Sequence, residues 1–185
     1  MNDAIKWLRE SDDFLAGLLR DLIYVFAVVG IFMVVSQLLL GTYYPLVAVE
    51  SGSMEPNMQI GDLVIKEGAD HTTVMTREEG MATGYKSFGD YGDVILYQKM
   101  GQGGTPVIHR AMYFVEKGEP MWDGGPPAPY AGYITKGDNP RTNQKFDQEG
   151  SVSYMSPVKE EWVVGVARFR IPFVGYLPLT VHSIF

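Results

Sequence analysis

The chain has 185 residues, which suits one domain of ordinary size together with a short additional segment, and is too few for two large domains. Apolar residues make up 46% of the chain and charged residues 20%, a balance that predicts a packed core and excludes extensive disorder. The net charge is −7 and no cluster of Lys and Arg stands out, so a nucleic-acid partner is not expected.

Cysteine and histidine usage narrows the chemistry further. The chain has no cysteine, which excludes a thiol nucleophile, a disulfide framework and a Cys-ligated metal centre. It has three histidines, and no two of them are spaced one helical turn apart as metal-binding pairs on a helix are. We therefore expect neither a transition metal nor another cofactor.

An apolar segment near the N-terminus is long enough to cross a bilayer. Residues 22–49 contain no charged side chain, and residues 22–40 read LIYVFAVVGIFMVVSQLLL, close to the roughly 20 residues that a core of about 30 Å requires. We predict one transmembrane helix over residues 22–41. A buried core helix is seldom apolar on every face for this length. A cleaved signal peptide fits less well, because a long charged region precedes the segment and no small-x-small site follows it at once.

The head, residues 1–21, determines the expected orientation. It contains three basic residues, and basic residues favour the cytoplasmic side, whereas acidic ones count little. We therefore expect a single-pass protein of the cell membrane, with a cytoplasmic head and with residues 42–185 on the extracytoplasmic side. Apolar residues recur in the head at helical spacing, which predicts an amphipathic helix at the membrane surface or a helical extension of the anchor. These residues are Ile5, Leu8, Leu15 and Leu18.

The remainder of the chain has the pattern of a mainly β fold. Short runs rich in β-branched and aromatic residues predict six strands of one β-rich domain, over residues 46–50, 63–66, 93–99, 107–115, 130–136 and 162–171. Gly- and Pro-rich segments predict surface loops between them, over residues 80–92, 101–106 and 118–129. Two prolines in residues 171–178 predict an irregular, apolar C-terminal segment that rests against the membrane.

The segment SGSMEP, residues 51–56, follows the first predicted strand. Two serines around a glycine, closed by a proline, are typical of a rigid turn that holds a hydroxyl outward, and alone they could be a plain strand-to-turn junction. Four further boxes follow in order: GDLVI at 61–65, GDVILY at 92–97, VIHR at 107–110 and KGDN at 136–139.

This series of boxes behind an N-terminal anchor resembles the type I signal peptidases, and the resemblance spans roughly residues 45–178. The bacterial form has Lys-Arg where this chain has His109-Arg110, whereas the archaeal and endoplasmic-reticulum form has His there. The resemblance to the latter implies a β-rich peptidase domain that removes signal peptides from exported preproteins. It also implies a membrane location and leaves open an association with the protein-export channel.

The resemblance implies that Ser53 is the nucleophile and His109 its general base. A serine hydroxyl is a weak nucleophile near neutral pH, and an imidazole can take its proton and later protonate the leaving amine. The backbone amide of Ser53 and the hydroxyl of Ser51 are the implied donors to the oxyanion, although Ser51 could instead stabilise the turn. Because Ser53 follows the predicted span closely in sequence, at no more than about 3.5 Å per extended residue, its hydroxyl is expected near the interface.

The carboxylate that orients the histidine is open between two candidates. Asp138 matches the first acidic box of the family, but its Gly-Asp-Asn-Pro context is also good turn chemistry. Asp147 lies farther along the chain than the second family acid usually does, and Asn143 occupies the region between them. We expect Asp147 to orient His109 and Asp138 to support it, with the reverse assignment also possible.

Other readings remain open from the sequence. Lys99 and Lys136 are rival bases, although exposed strand-end lysines are the simpler interpretation. Arg110 should point to the opposite sheet face from His109 and act structurally. A non-catalytic membrane-tethered scaffold and a narrow-specificity processing protease of the same fold are the alternative functions.

Overall fold

The computed structural model describes residues 2–182. The chain divides into two compact units, Met1–Tyr44 and Pro45–Phe185. The first unit is helical, and the second contains every strand of residues 2–182. The mainly β fold with one apolar N-terminal helix is therefore confirmed.

The first unit contains two helices, α1 (Asn2–Glu10) and α2 (Phe14–Leu40). Helix α2 has 27 residues, and its side chains are mostly apolar and exposed, so it meets the length and composition of a membrane span. It ends where Gly41 adopts a left-handed conformation and donates its N–H to Gln37 O. Helix α2 begins at Phe14, within the predicted head, so the predicted span is the C-terminal part of a longer helix.

The second unit is built on one antiparallel six-stranded sheet with the strand order β1-β2-β8-β5-β6-β7. The six strands coincide with the six predicted runs. They are β1 (Leu46–Ala48), β2 (Leu63–Glu67), β5 (Val94–Tyr97), β6 (Val107–Val115), β7 (Gly132–Lys136) and β8 (Val163–Ile171). Within residues 2–182, strand β1 pairs with β2 alone, so its other edge has no strand partner there.

The predicted loop over residues 80–92 is wrong in part. Helix α3 (Arg77–Thr83) and a hairpin of β3 (Lys86–Ser87) with β4 (Asp90–Tyr91) occupy this region. The helix begins with a capping box, in which the Thr76 side chain accepts from Glu79 N while Glu79 Oε2 accepts from Thr76 N. The glycines of this segment favoured the prediction of a loop, although Thr76 and Glu79 are typical of a helix start.

The C-terminal segment is also more regular than predicted. Strand β8 ends at Ile171, just before Pro172, and a further helix, α4, spans Tyr176–His182. Pro178 lies in the first turn of α4, where its missing N–H removes no helical hydrogen bond, so it does not prevent the helix.

The register of β6 decides which side chains face which core. His109 is paired with Ile95 of β5, and Ala111 with Thr135 of β7. Because alternate residues of a strand share a face, these four side chains lie on one face of the sheet, and Arg110 lies on the other. The first face packs a buried apolar cluster that includes Ile95, Tyr97, Ala111 and Val166.

Candidate active site

Ser53 lies in a short 3₁₀ turn, Gly52–Met54, that follows β1. The Met54 side chain is buried in an apolar cluster and anchors the end of the turn. Asn139 fastens the turn from outside, because its backbone N–H donates to Ser53 O at 2.9 Å and its Nδ2 donates to Gly52 O at 2.7 Å. The turn is therefore held on both sides, with the hydroxyl of Ser53 free of these contacts.

Glycine at position 137 permits this arrangement. A Cβ added to Gly137 would come within 2.6 Å of Ser53 O and of the Asn143 side chain. Backbone atoms cannot yield as the end of a side chain does, so the close approach requires glycine here. The KGDN box thus contributes to the site by supporting the serine turn.

His109 and Asp147 form a buried pair. The distance from His109 Nδ1 to Asp147 Oδ2 is 2.7 Å, and both side chains are almost entirely buried. An ionised carboxylate only accepts, so Nδ1 carries the hydrogen and donates it. The other ring nitrogen, Nε2, is then left as the proton acceptor.

The Asp147 carboxylate has two further donors on the same oxygen. Thr135 Oγ1 donates to Oδ2 at 2.6 Å, and Tyr97 Oη donates to it at 2.9 Å. Burial and the neighbouring Asp147 charge raise the pKa of Tyr97 well above its usual range, so its hydroxyl keeps its proton and remains a donor.

The turn that carries Ser53 and the side chain of His109 border the same cavity, of about 320 Å³, which we call the serine cavity. Ser51, Ser53 and His109 all line it, and Ser51 Oγ lies 3.3 Å from Ser53 Oγ. No hydrogen bond joins Ser53 to His109 among residues 2–182. The rest of the wall is mostly apolar, with contributions from Ala48, Val49, Met54, Val107, Ile108 and Val152.

Asp138 lies against Arg110 rather than His109. Its Oδ1 accepts from Arg110 Nε at 2.9 Å and its Oδ2 from Nη2 at 2.5 Å, while Asn57 Nδ2 donates to Oδ2 at 2.8 Å. Arg110 is 1% exposed, and its guanidinium also donates to backbone carbonyls of the β3–β4 region. Asp138 therefore neutralises a buried cation on the far face of the sheet.

The rival lysines lie outside the serine cavity. Lys136 Nζ donates to Gln144 O at 3.1 Å, and Lys136 lines a different, polar cavity that also includes Arg110 and Asp138. Lys99 lies in an exposed 3₁₀ turn, Lys99–Gly101, and does not line the serine cavity either.

The sequence predicted no role for Tyr97, Thr135 or Asn139, although Tyr97 and Asn139 fall within the boxes at 92–97 and 136–139. The β-strand alternation could have indicated the first, because Tyr97 lies two residues from Ile95, the cross-strand partner of His109. Thr135 gives no comparable local signal, since its role depends on the pairing of β7 with β6.

Comparisons with known proteins bear on this site. No family model matches the chain. The catalytic subunit of the signal peptidase complex of Candida albicans (strain WO-1) is 24% identical over 162 residues, covering 88% of this chain and 80% of that protein. The corresponding subunits of Yarrowia lipolytica and Pyricularia oryzae are each 30% identical over 135 residues, covering 73% of this chain and 62% of those proteins. These matches confirm the resemblance found in the sequence: the chain is a homologue of signal peptidase catalytic subunits, and its relatives support a type I signal peptidase of the endoplasmic-reticulum and archaeal kind.

Proposed function

We propose that the chain is a membrane-bound serine endopeptidase that cleaves N-terminal signal peptides from exported preproteins, after small residues. The observation that carries the proposal is the cavity that Ser53 and His109 share, with Asp147 bonded to the far side of the imidazole. The homology to catalytic subunits supports the substrate class. No cofactor is needed for this chemistry.

The proposed reaction uses two proton transfers through one imidazole. Ser53 Oγ attacks the scissile carbonyl while His109 Nε2 takes its proton, and the imidazolium then protonates the leaving amine. Water hydrolyses the acyl-enzyme by the reverse sequence. Catalytic hydrogen bonds are often long before substrate binds. The proposed reaction therefore includes a rotation of the Ser53 side chain from Ser51 towards His109.

Asp147 has the orienting role in this proposal. Its carboxylate fixes the tautomer that leaves Nε2 unprotonated, and it stabilises the imidazolium that forms during attack. The negative charge on the carbonyl oxygen would be met by the backbone N–H of Ser53 and the hydroxyl of Ser51. Asp138 has no direct part in the proposed chemistry and acts by neutralising the buried Arg110.

Cleavage after small residues is part of the proposal because of the resemblance to signal peptidases. The mostly apolar wall of the cavity would accept an alanine-like side chain next to the nucleophile. The open edge of β1 ends close in sequence to the serine turn, and its free backbone groups offer strand-like pairing to an extended substrate.

The anchor and its orientation complete the proposal. Residues 22–41 would span the cell membrane once, the head would be cytoplasmic, and residues 42–185 would lie on the extracytoplasmic side with the C-terminal segment against the lipid. The partners would be signal-peptide-bearing preproteins, the bilayer and, through substrate delivery, the protein-export channel.

The decisive test replaces the nucleophile. Purified full-length Ser53→Ala in detergent should lose cleavage of a preprotein, measured by gel shift and by mass of the released fragment. Ser151→Ala, at an exposed serine, should cleave as the parent does. Unchanged cleavage by Ser53→Ala would remove this residue from the mechanism. A non-catalytic scaffold would give no cleavage by the parent and no labelling of Ser53 by an acylating inhibitor.

A further inference from the structure

One oxygen atom of the site collects three hydrogen bonds. Asp147 Oδ2 accepts from His109 Nδ1 at 2.7 Å, from Thr135 Oγ1 at 2.6 Å and from Tyr97 Oη at 2.9 Å. The two hydroxyl residues are completely buried, and both come from strands that flank β6. A carboxylate oxygen with this many donors in a dry environment has little freedom to rotate.

The sheet register puts the donors in place. Tyr97 lies diagonally across from His109, since Ile95 is the direct partner of His109 and Tyr97 that of Val107. Thr135 lies opposite Ala111, which is two residues beyond His109 on the same face. Strands β5, β6 and β7 thus each contribute one polar side chain to the Asp147 carboxylate.

The backbone around Asp147 is tied to the same point. Asp147 N donates to Thr135 O at 2.9 Å, so Asp147 is joined to Thr135 through both main chain and side chain. Gln148 adds a second connection, because its Oε1 accepts from Thr135 N at 3.1 Å and its Nε2 donates to Thr135 Oγ1 at 3.3 Å. The loop that carries Asp147 is therefore held to β7 by several bonds.

We propose that Tyr97 and Thr135 are positioning residues of the peptidase, whose hydroxyls hold the Asp147 carboxylate on His109 Nδ1 and draw off part of its negative charge. This inference rests on the proposed function. Neither hydroxyl touches the serine cavity, so both act only through Asp147. The two donors have opposing consequences: they keep the carboxylate aligned, and they limit how strongly it favours the imidazolium.

These consequences predict a kinetic signature that lost packing alone would not give. In Tyr97→Phe the carboxylate loses a donor, so kcat should fall about 10-fold or more while KM stays near the parent value. The carboxylate also carries more charge towards His109, which favours the protonated ring. The acid limb of the pH–rate profile should therefore move to higher pH.

The experiment compares purified full-length variants on one preprotein peptide, with pH–rate profiles and thermal unfolding for each. Tyr113→Phe is the matched control, because it removes a tyrosine hydroxyl that donates to Met121 O at 2.7 Å outside the site. It should leave kcat and the acid limb unchanged. Thr135→Val should reproduce the effect of Tyr97→Phe, and Thr135→Ser should restore most of the parent activity.

The outcomes separate this inference from the function on which it rests. If Ser53→Ala is inactive but Tyr97→Phe and Thr135→Val keep the parent kcat and acid limb, the positioning role is wrong and the peptidase stands. If Ser53→Ala keeps full activity, the proposed function itself fails. Should Tyr97→Phe unfold at the assay temperature, the contrast between Thr135→Val and Thr135→Ser decides the question.

Discussion

Asp138 holds the buried guanidinium of Arg110 through two parallel hydrogen bonds, from Nε to Oδ1 at 2.9 Å and from Nη2 to Oδ2 at 2.5 Å. Arg110 follows His109 in β6, so its side chain leaves the opposite face of the sheet. The two acids that the sequence left as alternatives are thus separated by the pleat of one strand. Asp147 bonds to the histidine and Asp138 to the arginine.

This separation predicts that substituting Asp138 lowers stability, whereas substituting Asp147 lowers activity. Asp138→Ala leaves a buried cation without its counter-charge, and the free energy of unfolding should fall by about 3–5 kcal/mol. Asp147→Asn keeps the shape of the side chain, so its free energy of unfolding should stay near that of the parent. If Asp147 orients His109 as proposed, kcat should fall by several orders of magnitude. Urea unfolding and preprotein cleavage of both full-length variants measure the two effects.

A double variant checks the cause of the instability. Adding Arg110→Met to Asp138→Ala removes the uncompensated charge and should recover part of the lost stability. A stable Asp138→Ala protein with low kcat would contradict this assignment and give Asp138 a direct part in the chemistry.

The sequence predicted the strands, and it named Ser53 and His109, which line one cavity, but it did not predict the contacts that support them. The six strands of the sheet were found because alternation and β-branched residues mark them locally. The alternation also predicted that Arg110 would leave the face of His109, as it does. The sequence favoured Asp147 over Asp138 as the partner of His109 but left the reverse assignment open, because the answer depends on where two loops return to the sheet.

The regions that were predicted wrongly share one physical feature. In α3 and α4, residues that usually break helices occur at positions where a helix tolerates them. Gly80 packs closely enough that a Cβ there would come within 2.4 Å of Gly92 N, and Pro178 lies in the first turn of its helix. Tertiary packing and helix position, which composition does not report, decided both cases.

A second prediction concerns Arg168, which joins β8 to β2 and to the segment before β5. Its guanidinium contacts Glu67 Oε2 at 2.7 Å, Asp93 Oδ1 at 3.1 Å, Tyr85 Oη at 3.2 Å and Thr72 Oγ1 at 2.5 Å. Arg168→Ala removes the cation beside the buried Asp93 carboxylate, so the free energy of unfolding should fall by about 2–4 kcal/mol. Urea unfolding of the detergent-solubilised chain measures it.

The same network makes part of this stability depend on pH. Burial alone would raise the pKa of Glu67, but its bonds to Arg168 and His71 outweigh that and lower it below 4.5. A lowered folded pKa stabilises above the unfolded value, and the contribution is lost as pH falls through the folded one. The difference between parent and Arg168→Ala should therefore shrink below about pH 4.5. A constant difference, or a loss as large for exposed Arg141→Ala, would contradict the network.

The third prediction tests the anchor. Ile31 and Val34 lie in the apolar part of α2 and are exposed in the described structure. Each arginine placed at the centre of a spanning helix opposes insertion by roughly 2.5–3.5 kcal/mol, so the double variant Ile31→Arg, Val34→Arg should leave the membrane pellet on alkaline extraction. Gln102→Arg with Gly103→Arg adds the same charge at exposed positions outside the helix and should remain in the pellet. Retention of the helix variant would contradict a spanning role for α2.

The last prediction concerns Lys66, a buried lysine of β2 that forms no salt bridge within residues 2–182. Its Nζ donates to Val164 O at 3.0 Å, and burial lowers its pKa below the ordinary value of 10.5. A lysine with a lowered folded pKa binds fewer protons in the folded state than in the unfolded state. Its charge therefore opposes folding at low and neutral pH, and that cost disappears as pH rises towards 10.5.

Lys66→Met should consequently raise the free energy of unfolding at pH 7, by about 1 kcal/mol, because an apolar side chain of similar length replaces a buried charge. The advantage over the parent should narrow as pH approaches 10.5, which urea unfolding at a series of pH values would show. Lys117→Met, at an exposed lysine, should give no such pH-dependent gain. If Lys66→Met is instead less stable at every pH, the hydrogen bond to Val164 O outweighs the cost of burying the amine, and Lys66 is a structural link between β2 and β8.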